Sequence, residues 1–266
     1  MTKTEQLDKL AQDGEERLLL ARALDKLETA RRKNIPACTA FLSPAERVKV
    51  EALIAASGHP AHLFFGGYEG AERTVCVFLP DWQEPEDFLA LAEEGPVTAL
   101  RCTYRPEEKL SHRDFLGSIL GQGITREKLG DLLVGEGTCD LLVLRELSDY
   151  LLQNLNSAGR VRLKVSPIPL AQITPPVVQV KHIRDTVATP RLDAVLAAAF
   201  STSRSKAADL ISAGRVQLNY RECTKADKLV EAGDILSCRG LGKASVKALG
   251  GLSKKGRVMV ELERYL

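Results

Sequence analysis

Five positions in the last third of the chain have the types and spacing to do chemistry: Arg191, Ser203, Arg204, Lys206 and Arg215. They stand where short elements meet, so they present fixed cations to a polyanion. Ser203 is placed to cap a helix, which puts Arg204 and Lys206 in its first turn. Cations there oppose the helix macrodipole, so helix stability gives no reason for them. A phosphate at that helix end, where free N–H groups already favour an anion, does give one. Structured RNA is the expected ligand.

Charge is distributed unevenly. Residues 181–266 carry 16 Lys+Arg against 9 Asp+Glu, a net of +7, while residues 1–180 carry 21 against 26, a net of −5. The whole-chain value of +2 therefore conceals a basic C-terminal third. Its cations alternate with regularly spaced apolar residues, which predicts a folded basic surface rather than a solvated tail.

The elements that must position these cations are two helices and a hairpin. Leu192, Val195, Leu196 and Ala199 fall at helical offsets, as do Ala207, Leu210, Ile211 and Gly214. Gly214 suits the residue that ends the second helix. Val216-Gln217-Leu218 reads as a short strand, with Asn219-Tyr220 in a tight turn because asparagine tolerates positive φ. Lys225, Lys228 and Arg239 surround a second strand at 234–238. A basic tail with Lys243, Lys247, Lys254, Lys255 and Arg257 follows, then a final strand at 257–262.

This segment closely resembles the alpha-L (S-four type) RNA-binding domain. The matching residues are Arg191-Leu192-Asp193 with Leu196, Ser203-Arg204-Ser205 with Ala207, Gly214-Arg215-Val216 with Asn219, and Gly233-Asp234. In that family the two helices and the hairpin grip RNA at a helix junction or end. The resemblance assigns RNA contact to Arg191, Ser203, Arg204, Lys206, Arg215, Asn219 and Lys225, with Leu192, Leu196 and Leu210 as core. Arg239, Lys243, Lys254, Lys255 and Arg257 complete the expected contacts.

Upstream, residues 5–33 read as one helix ending in Arg31-Arg32-Lys33. Ser43-Pro44-Ala45-Glu46 is a helix start, and strands are expected at 62–68 and 74–79. Residues 97–165 then give the order βαββαβ, that of a ferredoxin-like unit shared with RNA-recognition motifs. Pro167, Pro169, Pro175 and Pro176 mark a linker, followed by a short strand at 177–180. The expected fold is α+β in three parts: a small α+β domain at 1–85, a ferredoxin-like (RNA-recognition-motif-like) domain at 86–166, and an alpha-L domain at 182–266 after a linker at 167–181.

The middle part extends the resemblance. His112-Arg113-Asp114-Phe115-Leu116-Gly117 and Ile124-Thr125-Arg126-Glu127-Lys128-Leu129-Gly130-Asp131 look like the central signature of the YlmH family. Ser237-Cys238-Arg239-Gly240-Leu241-Gly242-Lys243 resembles its distal signature, with Leu241 and Lys243 standing where an aromatic and an arginine are expected. The resemblance implies a non-catalytic protein that binds ribosomal RNA and tRNA on the large ribosomal subunit during rescue of stalled nascent chains. It also makes His112 and Arg113 candidates for a secondary RNA contact, and Arg126 and Lys128 join Arg113 as candidates for contact with an RNA backbone or for docking a protein. The middle domain's expected third strand, 138–144, has no aromatic residue to stack a base, so readout of single strands there is not expected.

The competing class is an RNA-modifying enzyme, because Arg191-Leu192-Asp193 also resembles the tripeptide bearing the catalytic aspartate of pseudouridine synthases. Here the tripeptide opens a small domain with about 70 residues after it, too few for a separate catalytic fold, so Asp193 is expected to be structural. Gly121-Gln122-Gly123 lacks the third glycine of a dinucleotide loop, and no P-loop ending follows it. The six cysteines form no CxxC pair, so neither a metal site nor a disulfide framework is expected. No cofactor is expected. A polar N-terminus and the absence of a long apolar run predict a cytoplasmic monomer without membrane contact.

Overall fold

The computed structural model describes residues 3–175, 179–252 and 256–266. It forms two compact units, Met1–Pro176 and Val177–Leu266.

The first unit opens with α1 (Lys3–Leu10) and α2 (Gly14–Lys33) where one helix was expected. The break lies at Asp13, whose carboxylate accepts the Glu16 N–H at 2.8 Å, while the Glu16 carboxylate accepts the Gln12 N–H at 3.0 Å. A well-capped new start outcompetes continuation through residues 11–13. β1 (Ala37–Cys38), α3 (Pro44–Ala56), β2 (His62–Phe65), β3 (Val75–Phe78) and α4 (Pro85–Ala90) follow. Ser43 and Glu46 form the capping box expected at the start of α3. The three strands make an antiparallel sheet in the order β1-β3-β2, and Leu20, Leu27 and Leu53 bury against Phe78.

The chain continues through β4 (Val97–Thr103), α5 (His112–Leu120), β5 (Leu129–Val134), β6 (Thr138–Leu144) and α6 (Ser148–Asn154). A small hairpin, β7 (Ser157–Ala158) and β8 (Val161–Arg162), precedes β9 (Lys164–Ile168). The main strands pair antiparallel in the order β5-β6-β4-β9, which is the expected ferredoxin-like arrangement. One sheet face, with Leu100, Cys102, Leu141 and Val143, packs on Phe115, Ile119 and Leu151 of the two helices. The opposite face, with Val97, Ala99, Leu142 and Leu144, buries against Phe41, Val75, Val77 and Phe88. Over these residues the sheet is covered on both sides.

The proline-rich stretch does not begin as a linker. Pro167 lies within β9, opposite Leu100. β9 is an edge strand, the setting in which a sheet tolerates proline. Leu170 and Ile173 then bury in the same core as Phe41. The strand expected at 177–180 starts at residues outside those described, and Val180 opens β10.

The second unit comprises β10 (Val180–Val187), α7 (Leu192–Phe200), α8 (Arg204–Ser212), β11 (Val216–Leu218), β12 (Arg221–Glu222), β13 (Ile235–Cys238), β14 (Gly242–Leu252) and β15 (Val258–Tyr265). They form a six-stranded antiparallel sheet in the order β10-β15-β14-β13-β11-β12. The expected basic tail is therefore largely a strand. In β14, Ala244 and Val246 alternate into the core while Lys243, Ser245 and Lys247 take the other face. The final strand reaches Tyr265 and pairs on its far side with β10. α7 is buried almost all round, including Ala194, Ala197 and Phe200, rather than along a narrow stripe.

Candidate nucleic-acid interface

The start of α7 and the start of α8 meet at one carboxylate. Asp193, in the first turn of α7, is buried and accepts hydrogen bonds from Arg191 Nε at 3.2 Å, Arg191 Nη2 at 3.3 Å and Arg204 Nη2 at 2.8 Å. Burial by itself would push the Asp193 carboxyl up, but the bonds from Arg204 and then Arg191 outweigh it and hold the pKa below the ordinary value. Arg204 thus has a reason within the protein to stand where the helix dipole disfavours it. Lys206 makes no ion pair among the described residues, and it is exposed. Ser203 caps α8 as expected, accepting the Lys206 N–H at 3.2 Å.

The loop before β13 completes this end. The Leu192 N–H donates to Lys228 O at 2.8 Å and the Asp193 N–H to Ala226 O at 3.0 Å, so the first turn of α7 is satisfied by protein carbonyls. The Arg191 backbone bridges to that of Leu229, whose apolar side chain is left 57% exposed. Lys225 and Lys228 are exposed on the same loop. Leu229 was not among the expected contacts, and no signal in the sequence sets it apart from a core leucine.

The remaining expected contacts fall in different settings. Arg215 and Arg239 lie side by side at the end of β11 and β13, where Arg215 Nη2 donates to Arg239 O at 3.1 Å and the Arg239 N–H to Arg215 O at 2.9 Å. Asn219 and Tyr220 form the two-residue turn between β11 and β12, with φ values of 52° and 62°. The Asn219 amide is occupied internally, donating to Asp234 Oδ1 at 2.7 Å and accepting the Ile235 N–H at 2.9 Å, so it locks the turn to β13. Lys243 lies over the rings of Tyr220 and Tyr265. Arg257 donates to the hydroxyl and carbonyl of Thr186 on β10. Lys254 and Lys255 lie outside the described residues.

In the first unit, Arg126 donates to Leu129 O at 2.7 Å and Gly130 O at 3.0 Å. Burial, then the neighbouring Arg73, pulls its pKa down to about 10. Arg73 donates to Leu129 O at 2.9 Å and Phe41 O at 3.2 Å, so its guanidinium fastens the N-terminal segment to the four-stranded sheet, while Arg126 secures its own entry into β5. Lys128 is paired with Glu146. Burial and then Arg126 lower the His112 pKa, while His112 and Arg113 remain exposed at the start of α5.

Comparison with known proteins agrees with this architecture. Residues 103–172 match a family described as "Putative RNA-binding domain in YlmH", and residues 190–236 match the S4 domain. The Ribosome-associated protein quality control protein P2 of Bacillus subtilis (strain 168) is 30% identical over 251 residues, covering 94% of this chain and 95% of its own. The chain belongs to the YlmH family. The solved structure of the Cell division protein ylmH from Streptococcus pneumoniae has a TM-score of 0.50 at 21% identity, covering 62% of this chain and 98% of that one, a likeness of fold.

For this YlmH-family chain the RNA-binding role stands on two matched domains. The face that an RNA-recognition motif turns to single strands is covered here by Phe41, Val75, Val77 and Phe88. That is a stronger obstacle than the missing aromatics. Asp193 is held by two arginines and is 8% exposed at its side chain, an enclosure that suits an anchor. Among the described residues no group of His, Cys, Asp and Glu has the arrangement of a metal site, and no helix is long and apolar enough to cross a membrane.

Proposed function

We propose that this protein is a non-catalytic RNA-binding factor that grips folded ribosomal RNA, together with tRNA, on the large ribosomal subunit. The observation that carries the proposal is the Asp193 anchor, which holds Arg191 and Arg204 together at the exposed junction of α7 and α8. Each guanidinium keeps further N–H donors free of the carboxylate, in the planar fork that fits phosphate oxygens. Lys206, Lys225 and Lys228 widen the basic surface, and Arg215 with Arg239 extends it along the sheet end. The relative from Bacillus subtilis is named for ribosome-associated quality control, which supports a role in rescuing stalled nascent chains in the cytoplasm. We take the protein to act as a monomer.

The test is ribosome co-sedimentation of the full chain with an Arg204→Ala/Arg215→Ala variant. Loss of large-subunit binding is expected, and retained binding would move the contact elsewhere. Modification mapping of crosslinked RNA addresses the enzyme alternative. A modified nucleotide that disappears with Asp193→Ala would sink the non-catalytic reading.

A further inference from the structure

We propose that the outer face of the six-stranded sheet, opposite α7 and α8, is a base-stacking platform for single-stranded RNA, centred on Tyr220, Lys243 and Tyr265. The proposal rests on the RNA-binding reading above and adds a second contact of different chemistry. Strand alternation sends Val216, Leu236, Ala244 and Leu262 to the core. The residues between them therefore share the other face. Register pairs Gln217 with Ser237 and Ser237 with Lys243, and the pairing of Ala244 with Arg264 brings Lys243 beside Tyr265. The Lys243 ammonium sits 5.3 Å from the Tyr220 ring centroid and 5.2 Å from that of Tyr265, between two half-buried aromatics.

Two features favour a nucleic-acid strand over an ordinary solvated face. First, Tyr220 is held at φ 62°, a conformation that glycine or asparagine adopts more readily, so the turn does not account for an aromatic there. Second, the row combines two aromatic rings, the Lys243 ammonium and the hydrogen-bonding side chains of Gln217 and Ser237, with Glu222 opposite Gln217 at its edge. That is the composition with which a sheet stacks unpaired bases and holds their phosphates. Of the carboxylates that register places on this face, Glu263 is countered by Lys247 at 2.9 Å and His182 at 3.4 Å, and Glu261 by Arg184 at 3.0 Å.

Fluorescence anisotropy on the full chain separates the two contacts, using a labelled single-stranded oligoadenylate, an abasic oligomer of the same length and an RNA hairpin. A Tyr220→Asn/Tyr265→Leu variant keeps a residue suited to the left-handed turn. It is expected to lose about 10-fold in oligoadenylate affinity while binding the hairpin as before. A Tyr220→Phe/Tyr265→Phe variant should retain both affinities. The Arg204→Ala/Arg215→Ala variant should show the opposite loss. Oligoadenylate binding that is undetectable, unaffected by the tyrosine variants, or equal to that of the abasic oligomer overturns the platform. Failure of the wild-type chain to bind the hairpin overturns the parent reading instead.

Discussion

Asp193 on α7 and Arg204 on α8 are joined by a 2.8 Å hydrogen bond across the turn between their helices. The same carboxylate holds Arg191, so one buried anion orients two exposed cations. Stability and recognition are coupled at this point. The bond that offsets the unfavourable placement of Arg204 is also the one that aims it outward.

Asp193→Asn keeps the shape and removes the charge. We expect it to destabilise the C-terminal unit by about 1–2 kcal/mol, since both partner arginines are partly solvated. The acid response should change with it. The folded Asp193 carboxyl lies below its unfolded value of about 3.9, so its contribution is present above that pH and is lost as pH falls through the folded value. Chemical denaturation from pH 6 down to about pH 3 should show a shallower decline for the variant. Parallel wild-type and variant curves would refute the anchor.

Salt dependence reports how many phosphates are contacted. Replacing Arg204 and Arg215 by alanine should reduce the slope of log affinity against log salt by roughly 1 per lost contact. An unchanged slope with a lower affinity would mean that these arginines act by holding the fold.

The closed face of the four-stranded sheet depends on close packing. Phe41 is buried against Leu142, and a Cβ added at Gly130 would lie 2.7 Å from Phe41 Cε1 and 2.9 Å from Leu142 Cβ. Phe41→Ala should cost about 3–5 kcal/mol by leaving a cavity, and Gly130→Ala should destabilise through overpacking. Hydrogen exchange in β6 would read both, and protection equal to wild type would argue against a covered face.

Arg126 is expected to matter for stability more than for RNA. Arg126→Ala removes the donor to the carbonyls of Leu129 and Gly130 and should cost about 1–2 kcal/mol. Arg126→Lys should not restore it, because one ammonium replaces a planar fork. A thermal melt together with ribosome co-sedimentation distinguishes the roles. A normal melt with lost binding would return Arg126 to the RNA-contact set.

Much of the fold was legible because its signals are local. The Ser43 capping box, the Ser203 cap, the left-handed Gly214 and the Asn219-Tyr220 turn are each decided by residues within one turn of chain. The βαββαβ element order was legible for the same reason, although in the sheet only β5 and β6 lie beside their neighbours in the chain. β14 was not legible. Its glycines and lysines read as a tail, and it becomes a strand through partners on β13 and β15. Pro167 misled because only the sheet order shows that β9 lies at an edge.

The sequence by itself determined the local elements, the basic C-terminal third and the residues that mark the family, all of which depend on neighbours close in the chain. Tertiary structure decided which of those residues remain available. It tied Asn219 into its hairpin, turned Arg126 inward, paired Arg204 with Asp193 and closed the middle sheet. It also brought Lys243 between Tyr220 and Tyr265. The physical reason is that burial and pairing depend on distance in space, and Tyr220 and Tyr265 share an ammonium only after intervening strands have found their register.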